Sequence, residues 1–136
     1  ELPDRVETDG GGPPVGARAG VVPAAWRPDI RAAMSRHVGV LRDEPSLAAA
    51  GEALRAVTSA GAGEVGDVGN RRSWEATNML TVASAVVAAA AARTESRGCH
   101  RRLDHPEPRD KWVRHLDVLL DPAAAAGVAV APTGPA

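Results

Sequence analysis

The feature that most constrains this chain is the run from Ser73 to Arg97, in which small and apolar residues follow one another with almost no interruption. Two stripes can be drawn along it at helical spacing: Met79, Val82, Val86 and Ala90 on one side, and Leu80, Ala83, Val87 and Ala91 on the other. A helix apolar on two sides meets two neighbours, so this segment is expected to be the central member of a helical bundle. Ser73 is a plausible N-cap, and Gly98 is placed to end the helix in a left-handed turn. The uninterrupted apolar part, Met79 to Ala92, contains Thr81 and Ser84 and is too short to cross a hydrocarbon core of about 30 Å, so it reads as a buried helix and no membrane partner is expected.

Composition sets how such a bundle would pack. The 136 residues include 28 Ala but no Phe and no Tyr, and Leu, Ile and Val together number 26. Alanine has the highest helix propensity and little area to bury. Thin, closely spaced helices follow, held weakly at about 25 cal/mol per Å² of apolar surface, so a covering partner is expected. The charges nearly cancel, 16 Lys and Arg against 17 Asp and Glu, which removes the global electrostatic case for nucleic acid. One cysteine, Cys99, cannot form an intrachain disulfide; with no recognisable secretion signal, a cytoplasmic location is expected.

Glycine and proline divide the chain, because one raises the entropy cost of ordering and the other lacks a backbone donor. Residues 1–24 hold nine of the 25, residues 59–70 hold four Gly, and residues 121–136 hold five. This punctuation predicts a leading linker over 1–24, an ordered domain over 25–121, and a flexible tail over 122–136. Within the domain, Ile30, Met34, Val38 and Leu41 define a first helix from Pro28 to about Arg42. After the Asp43-Glu44-Pro45 break, Leu47, Ala50, Leu54 and Val57 mark a second, ending near Ala60. Arg109 to His115 suits a short helical turn presenting Trp112, and Leu116, Val118 and Leu120 alternate with Asp117 and Asp121 as an extended segment would. The fold expected is all-α: an antiparallel three-helix bundle with a short C-terminal helical turn and an extended tail.

Titratable groups crowd between Arg93 and His115: seven basic residues, four acids, three of the four histidines and the cysteine. Cys99, His100 and His105 offer three metal ligands where a structural zinc needs four, so no metal site is expected. Adjacent Cys99 and His100 make a poor nucleophile and base. A phosphate patch on Arg97, Arg101 and Arg102 is diluted by Asp104, Glu107 and Asp110. Mixed charges rich in Arg suit bidentate pairing at a partly buried domain contact. Glu95, Ser96, Arg97, Gly98, His100 and Arg101 are therefore the expected interdomain contact. Glu95 and Arg97, two apart on a helix, are expected to face different sides. Trp26, Trp74 and Trp112 read as core or domain-contact anchors, and Gly10 to Gly12 lack a dinucleotide fingerprint and are linker.

The run Arg93-Thr94-Glu95-Ser96-Arg97-Gly98-Cys99-His100-Arg101-Arg102-Leu103-Asp104-His105-Pro106, followed by Arg109-Asp110, Trp112 and His115, resembles the C-terminal helical domain of the succinate dehydrogenase and fumarate reductase flavoprotein family. Met34 to Asp43 is similar to that domain's first helix, and Asn78 to Ala83 to the start of its long one; the resemblance covers Trp26 to Asp121. Cys99 stands where relatives usually carry a small or apolar residue, and His105 where an aromatic is common. The short bundle and abrupt end look most like the L-aspartate oxidase branch.

That resemblance implies an FAD enzyme oxidising L-aspartate to iminoaspartate on the way to quinolinate and NAD, with oxygen or fumarate as acceptor. It also implies that the FAD-binding glycines, the substrate-clamping Arg and His and the proton-donating Arg lie in flavin and capping domains ahead of Glu1. No catalytic or cofactor-binding residue carries over to this chain. The flavin-binding domain of the same polypeptide is the implied partner, and the chain by itself is expected to expose apolar surface and self-associate. A succinate dehydrogenase flavoprotein would continue past His115 with a longer extension, and a free-standing interaction module would need a polar exterior on the third helix.

Overall fold

In the computed structural model, residues 21–61, 69–121 and 127–133 are described. Three α-helices form the body: α1 (Arg27–His37), α2 (Glu44–Gly61) and α3 (Arg71–Ala92), with a 3-10 turn over Ala24–Trp26 leading into α1. Each helix touches the other two. The core between them is built from Val22, Ile30, Ala33, Ala50, Leu54, Val57, Ala76, Leu80, Ala83 and Val87, with Trp26, Met34 and Val38 packed against its edge. The three-helix bundle is thus as expected, and the α2 seam of Leu47, Ala50, Leu54 and Val57 is buried throughout.

Four short strands complete the fold. β1 (Leu41–Arg42) pairs in parallel with β2 (Arg101–Arg102), and β3 (His115–Leu120) pairs antiparallel with β4 (Val128–Thr133). A second 3-10 turn, Asp110–Trp112, precedes β3 and is the helical turn read from the sequence. The β3–β4 hairpin lies against α3, with Val128 buried. Gly127 adopts φ +68, a left-handed geometry that glycine enters without a Cβ penalty, as the chain turns into β4.

The element ends differ from the expected ones. The first helix stops at His37, because Val38, Gly39 and Val40 are poor helix formers. Leu41, which continues its apolar spacing, is 60% exposed on β1. The third helix starts earlier: Asn70 is its cap, accepting from the Arg72 N–H at 2.9 Å, while Ser73 is buried inside the first turn. It also ends earlier, at Ala92, leaving Arg93 to Arg97 outside the helix. Gly98 does have positive φ, +57, but it turns the chain between Arg97 and His100, whose backbones exchange both hydrogen bonds. Part of the supposed tail is β4, and part of the supposed linker, Val21 and Val22, is buried. Residues 1–20, 122–126 and 134–136, which held the rest of those segments, lie outside the described residues.

Of the two stripes on α3, Leu80, Ala83 and Val87 of one are core, whereas the other is split: Met79 packs on the core and Ala90 is buried, but Val82 and Val86 are not covered. Ala76, Leu80, Ala83, Val87 and Ala90 are buried, whereas Val82 is 61% and Val86 40% exposed. By length and composition α3 could cross a membrane, but its buried stripe packs on α1 and α2 as the core of the bundle.

Candidate functional site

The segment from Arg93 to Arg114 closes the open end of the bundle around two buried charges. Glu95 has no exposed surface, and both its carboxylate oxygens are fully used. Oε1 accepts from Arg93 Nη1 and Arg97 Nε, each at 2.9 Å; Oε2 accepts from Arg97 Nη2 at 3.1 Å and the Arg109 N–H at 2.7 Å. The bidentate Arg97 fork leads in holding the Glu95 carboxyl down to about 2, with the Arg109 and Arg93 bonds adding to it against the opposing effect of burial. Glu95 and Arg97 therefore do pair directly, contrary to the helical expectation. Outside a helix, residues two apart can share a side.

Arg93 then ties the last turn of α3 to the approach to β3. Its Nη1 and Nη2 donate to the carbonyls of Trp112 at 2.7 Å and Arg114 at 2.8 Å, and its guanidinium sits 5.5 Å from the Trp112 ring centroid. Lys111 lies at the same distance from that ring, and the indole N–H donates to Thr94 Oγ1 at 3.2 Å. Trp112 is thus an anchor of the turn. Trp26 packs on the core, and Trp74 is 48% exposed on α3.

The second buried charge is Arg102, 1% exposed. Its Nε and Nη2 grip Asp104 at 2.8 and 2.7 Å, Nη2 also reaches Glu44 at 3.1 Å, and Nη1 donates to the carbonyls of Ala90 and Ala91 at 3.0 and 3.3 Å. Those carbonyls are orphans of the α3 C-terminus, where the helix dipole favours a cation. Asp104 Oδ2 in turn accepts from the Glu44 N–H at 2.9 Å, at the start of α2, and the Arg102 fork holds its carboxyl well below the usual carboxylate range. Asp43 and Ser46 cap α2 reciprocally, Ser46 N–H to Asp43 Oδ1 at 2.8 Å and Asp43 N–H to Ser46 Oγ at 3.0 Å. One guanidinium therefore fastens the end of α3 to the beginning of α2.

Ser96 and His100 lock the turn's backbone. The Ser96 hydroxyl accepts from the Arg102 N–H at 2.8 Å and donates to the His105 carbonyl at 2.9 Å. His100 Nε2 lies 3.0 Å from the Arg93 carbonyl, so it carries the proton, and Nδ1 accepts from Arg42 Nη1 at 3.1 Å. Burial, with the nearby Arg42, Arg102 and Arg93 charges, lowers the ring's pKa from its ordinary value against the opposing effect of the bond to the Arg93 carbonyl.

Of the six residues expected at an interdomain contact, Glu95 and Ser96 are buried among partners of their own chain and His100 is half-buried; Arg97, Gly98 and Arg101 reach the surface. Beside them the β1–β2 pair presents Val40, Leu41 and Leu103 at 74%, 60% and 60% exposure. Arg102, Asp104, Glu44 and Arg93, which carry the geometry, were not among the six. The available signal was Arg102 two residues from Asp104, beside a helix end that needed donors. Among the described residues no group of three His, Cys, Asp or Glu side chains could hold a metal ion, and Cys99 is exposed and free. Nor do they fit a flavin dinucleotide. Both sheets are two-stranded, and no strand runs through a glycine loop into a helix.

Comparison with known proteins agrees with this architecture. A family model described as fumarate reductase flavoprotein C-term matches residues 27–130. An L-aspartate oxidase of Streptomyces coelicolor is 40% identical over 75% of this chain and 19% of its own length. One from Mycobacterium tuberculosis is 45% identical over 59% of this chain and 14% of its own. A succinate dehydrogenase flavoprotein subunit of Coxiella burnetii is 34% identical over 73% of this chain and 18% of its own. The chain thus spans less than a fifth of the length of each of these three relatives. It belongs to the C-terminal domain family of the succinate dehydrogenase and fumarate reductase flavoproteins.

Proposed function

We propose that this chain is the C-terminal helical domain of an FAD-dependent L-aspartate oxidase, which converts L-aspartate to iminoaspartate for quinolinate and NAD synthesis in the cytoplasm. The observation that carries this reading is the 40% and 45% identity to the L-aspartate oxidases of Streptomyces coelicolor and Mycobacterium tuberculosis, against 34% to the succinate dehydrogenase subunit and 35% to a fumarate reductase subunit; the Mycobacterium leprae L-aspartate oxidase stands at 32%. The domain's part is structural: it packs on the flavin domain of the same polypeptide and supplies no reacting group. Two features support packing. Val82 and Val86 leave an uncovered apolar strip on α3, and Arg97, Gly98 and Arg101 stand beside the exposed Val40, Leu41 and Leu103. Glu95 and Ser96 contribute by holding that surface in shape from beneath.

The test is to express the complete polypeptide, load it with FAD, and measure oxidation of L-aspartate and of succinate side by side, with oxygen or fumarate as acceptor. Aspartate turnover with negligible succinate turnover is expected; the reverse would make the chain part of a succinate dehydrogenase or fumarate reductase. The 136-residue chain alone is expected to purify colourless. Flavin absorbance in it would contradict the structural role.

A further inference from the structure

Between the turn and the β3–β4 hairpin lies a cavity of about 510 Å³, lined by Arg93, Arg97, His100, Trp112, Val113, Arg114, His115 and Thr133. Among the described residues three arginines border it and no carboxylate does. Glu95, the nearest buried acid, is already saturated by four donors behind the wall. Asp110 is close enough to Arg97 to favour its charge but is not part of the lining.

The arginines differ in how far they are satisfied. Arg93 spends both terminal nitrogens on Glu95 and two carbonyls. Arg97 commits Nε and Nη2 to Glu95. The Arg114 side chain makes no ion pair among the described residues, and its Nε is buried with no acceptor. Arg27 has a similarly orphaned Nε, but its guanidinium pairs with Glu75 at 3.3 Å. The Arg114 guanidinium, without an ion-pair partner among the described residues, borders a cavity whose other charged walls are arginines, and what such a site lacks is an acceptor carrying negative charge.

We propose that this cavity is a binding site for a small free oxyanion, a carboxylate or a phosphate, held by Arg114 with Arg93 and Arg97 at its sides. The ligand is small because the Trp112 ring is already engaged by Arg93 and Lys111, so it gives little platform for a stacking aromatic. The site goes beyond the packing role proposed above and does not depend on which substrate the complete polypeptide oxidises.

Titration calorimetry tests it, using this chain, or the complete polypeptide should the chain need it to fold. Inorganic phosphate and acetate are added separately at constant ionic strength, and the melting temperature is followed in parallel. Saturable binding of at least one is expected, with a rise in melting temperature; the tighter of the two identifies the ligand chemistry. Arg114→Gln, whose side chain makes no hydrogen bond or ion pair among the described residues, should keep the circular dichroism spectrum and weaken binding at least tenfold. Arg114→Lys, which keeps charge but loses the planar fork, should fall between. Failure of both anions to bind at millimolar concentration would overturn the proposal. Equal binding by wild type and Arg114→Gln would do so too, because the attraction would then be diffuse screening.

Discussion

The bundle and the turn that closes it are held by opposite means. In the bundle, cohesion is spread over many small contacts: Ala33, Ala50, Ala76, Ala83 and Ala90 bring the helices close but each buries little. In the turn, cohesion is concentrated in two residues, Glu95 and Arg102, whose every charged atom is matched. A thin core tolerates small losses at many places, whereas a saturated charge tolerates none, because an unpaired buried partner cannot recover its water. The comparison also separates roles that look alike in sequence. Arg102 and Arg101 are neighbours in β2, yet one is buried under five bonds and the other faces out.

The largest effect should come from Arg102→Ala. It strands Asp104 and frees the α3 carbonyls, and is expected to cost about 3 to 5 kcal/mol, enough to unfold a marginal domain; urea titration of this chain measures it. Arg102→Lys should rescue only part, since a point charge cannot grip Asp104 with two bonds and still reach Ala90. Next is a truncation in the bundle core, Leu54→Ala, expected to cost about 2 to 4 kcal/mol in the same titration. A cost near zero there would mean that the turn alone carries the fold. The smallest effect should be Val82→Ser with Val86→Ser on the uncovered strip of α3. Within this chain the pair should shift stability by less than about 0.5 kcal/mol each. In the complete polypeptide the same pair should weaken packing and lower the melting temperature, and equal behaviour in both contexts would remove that strip from the interface.

What could be read from sequence divides along the same line. Helical periodicity located α2 to within a residue or two of its ends and identified its four buried seam positions, since spacing follows directly from helix geometry. On α3 the periodicity was equally clear but did not tell which positions are covered, because Val82 and Leu80 are equally apolar and only tertiary packing distinguishes them. The turn resisted for a different reason. Its contacts join Glu44 to Arg102 and Arg93 to Trp112, pairs far apart in the chain with no periodic signal. Reading Glu95 and Arg97 as helical hid their direct pairing. Their short Arg and carboxylate spacing was visible; the end of the helix at Ala92, set by Arg102 arriving from β2, was not.

That the turn is held from within by a buried charge can be measured at Glu95. Its carboxyl is lowered from an ordinary 4.5 to about 2 in the folded chain, so it binds fewer protons folded than unfolded across that interval. The stabilisation it brings is therefore complete above about pH 5 and disappears as pH falls from 4.5 through 2; by linkage it amounts to about 3 kcal/mol at neutral pH. Urea unfolding of the wild type and of Glu95→Gln, which keeps the shape and removes the charge, should be compared from pH 7 to pH 2. The expected result is a gap of about 3 kcal/mol at pH 7 that narrows below pH 4.5 and closes near pH 2. A gap that is absent at pH 7, or that stays constant down to pH 2, would contradict a turn locked by the charge of Glu95.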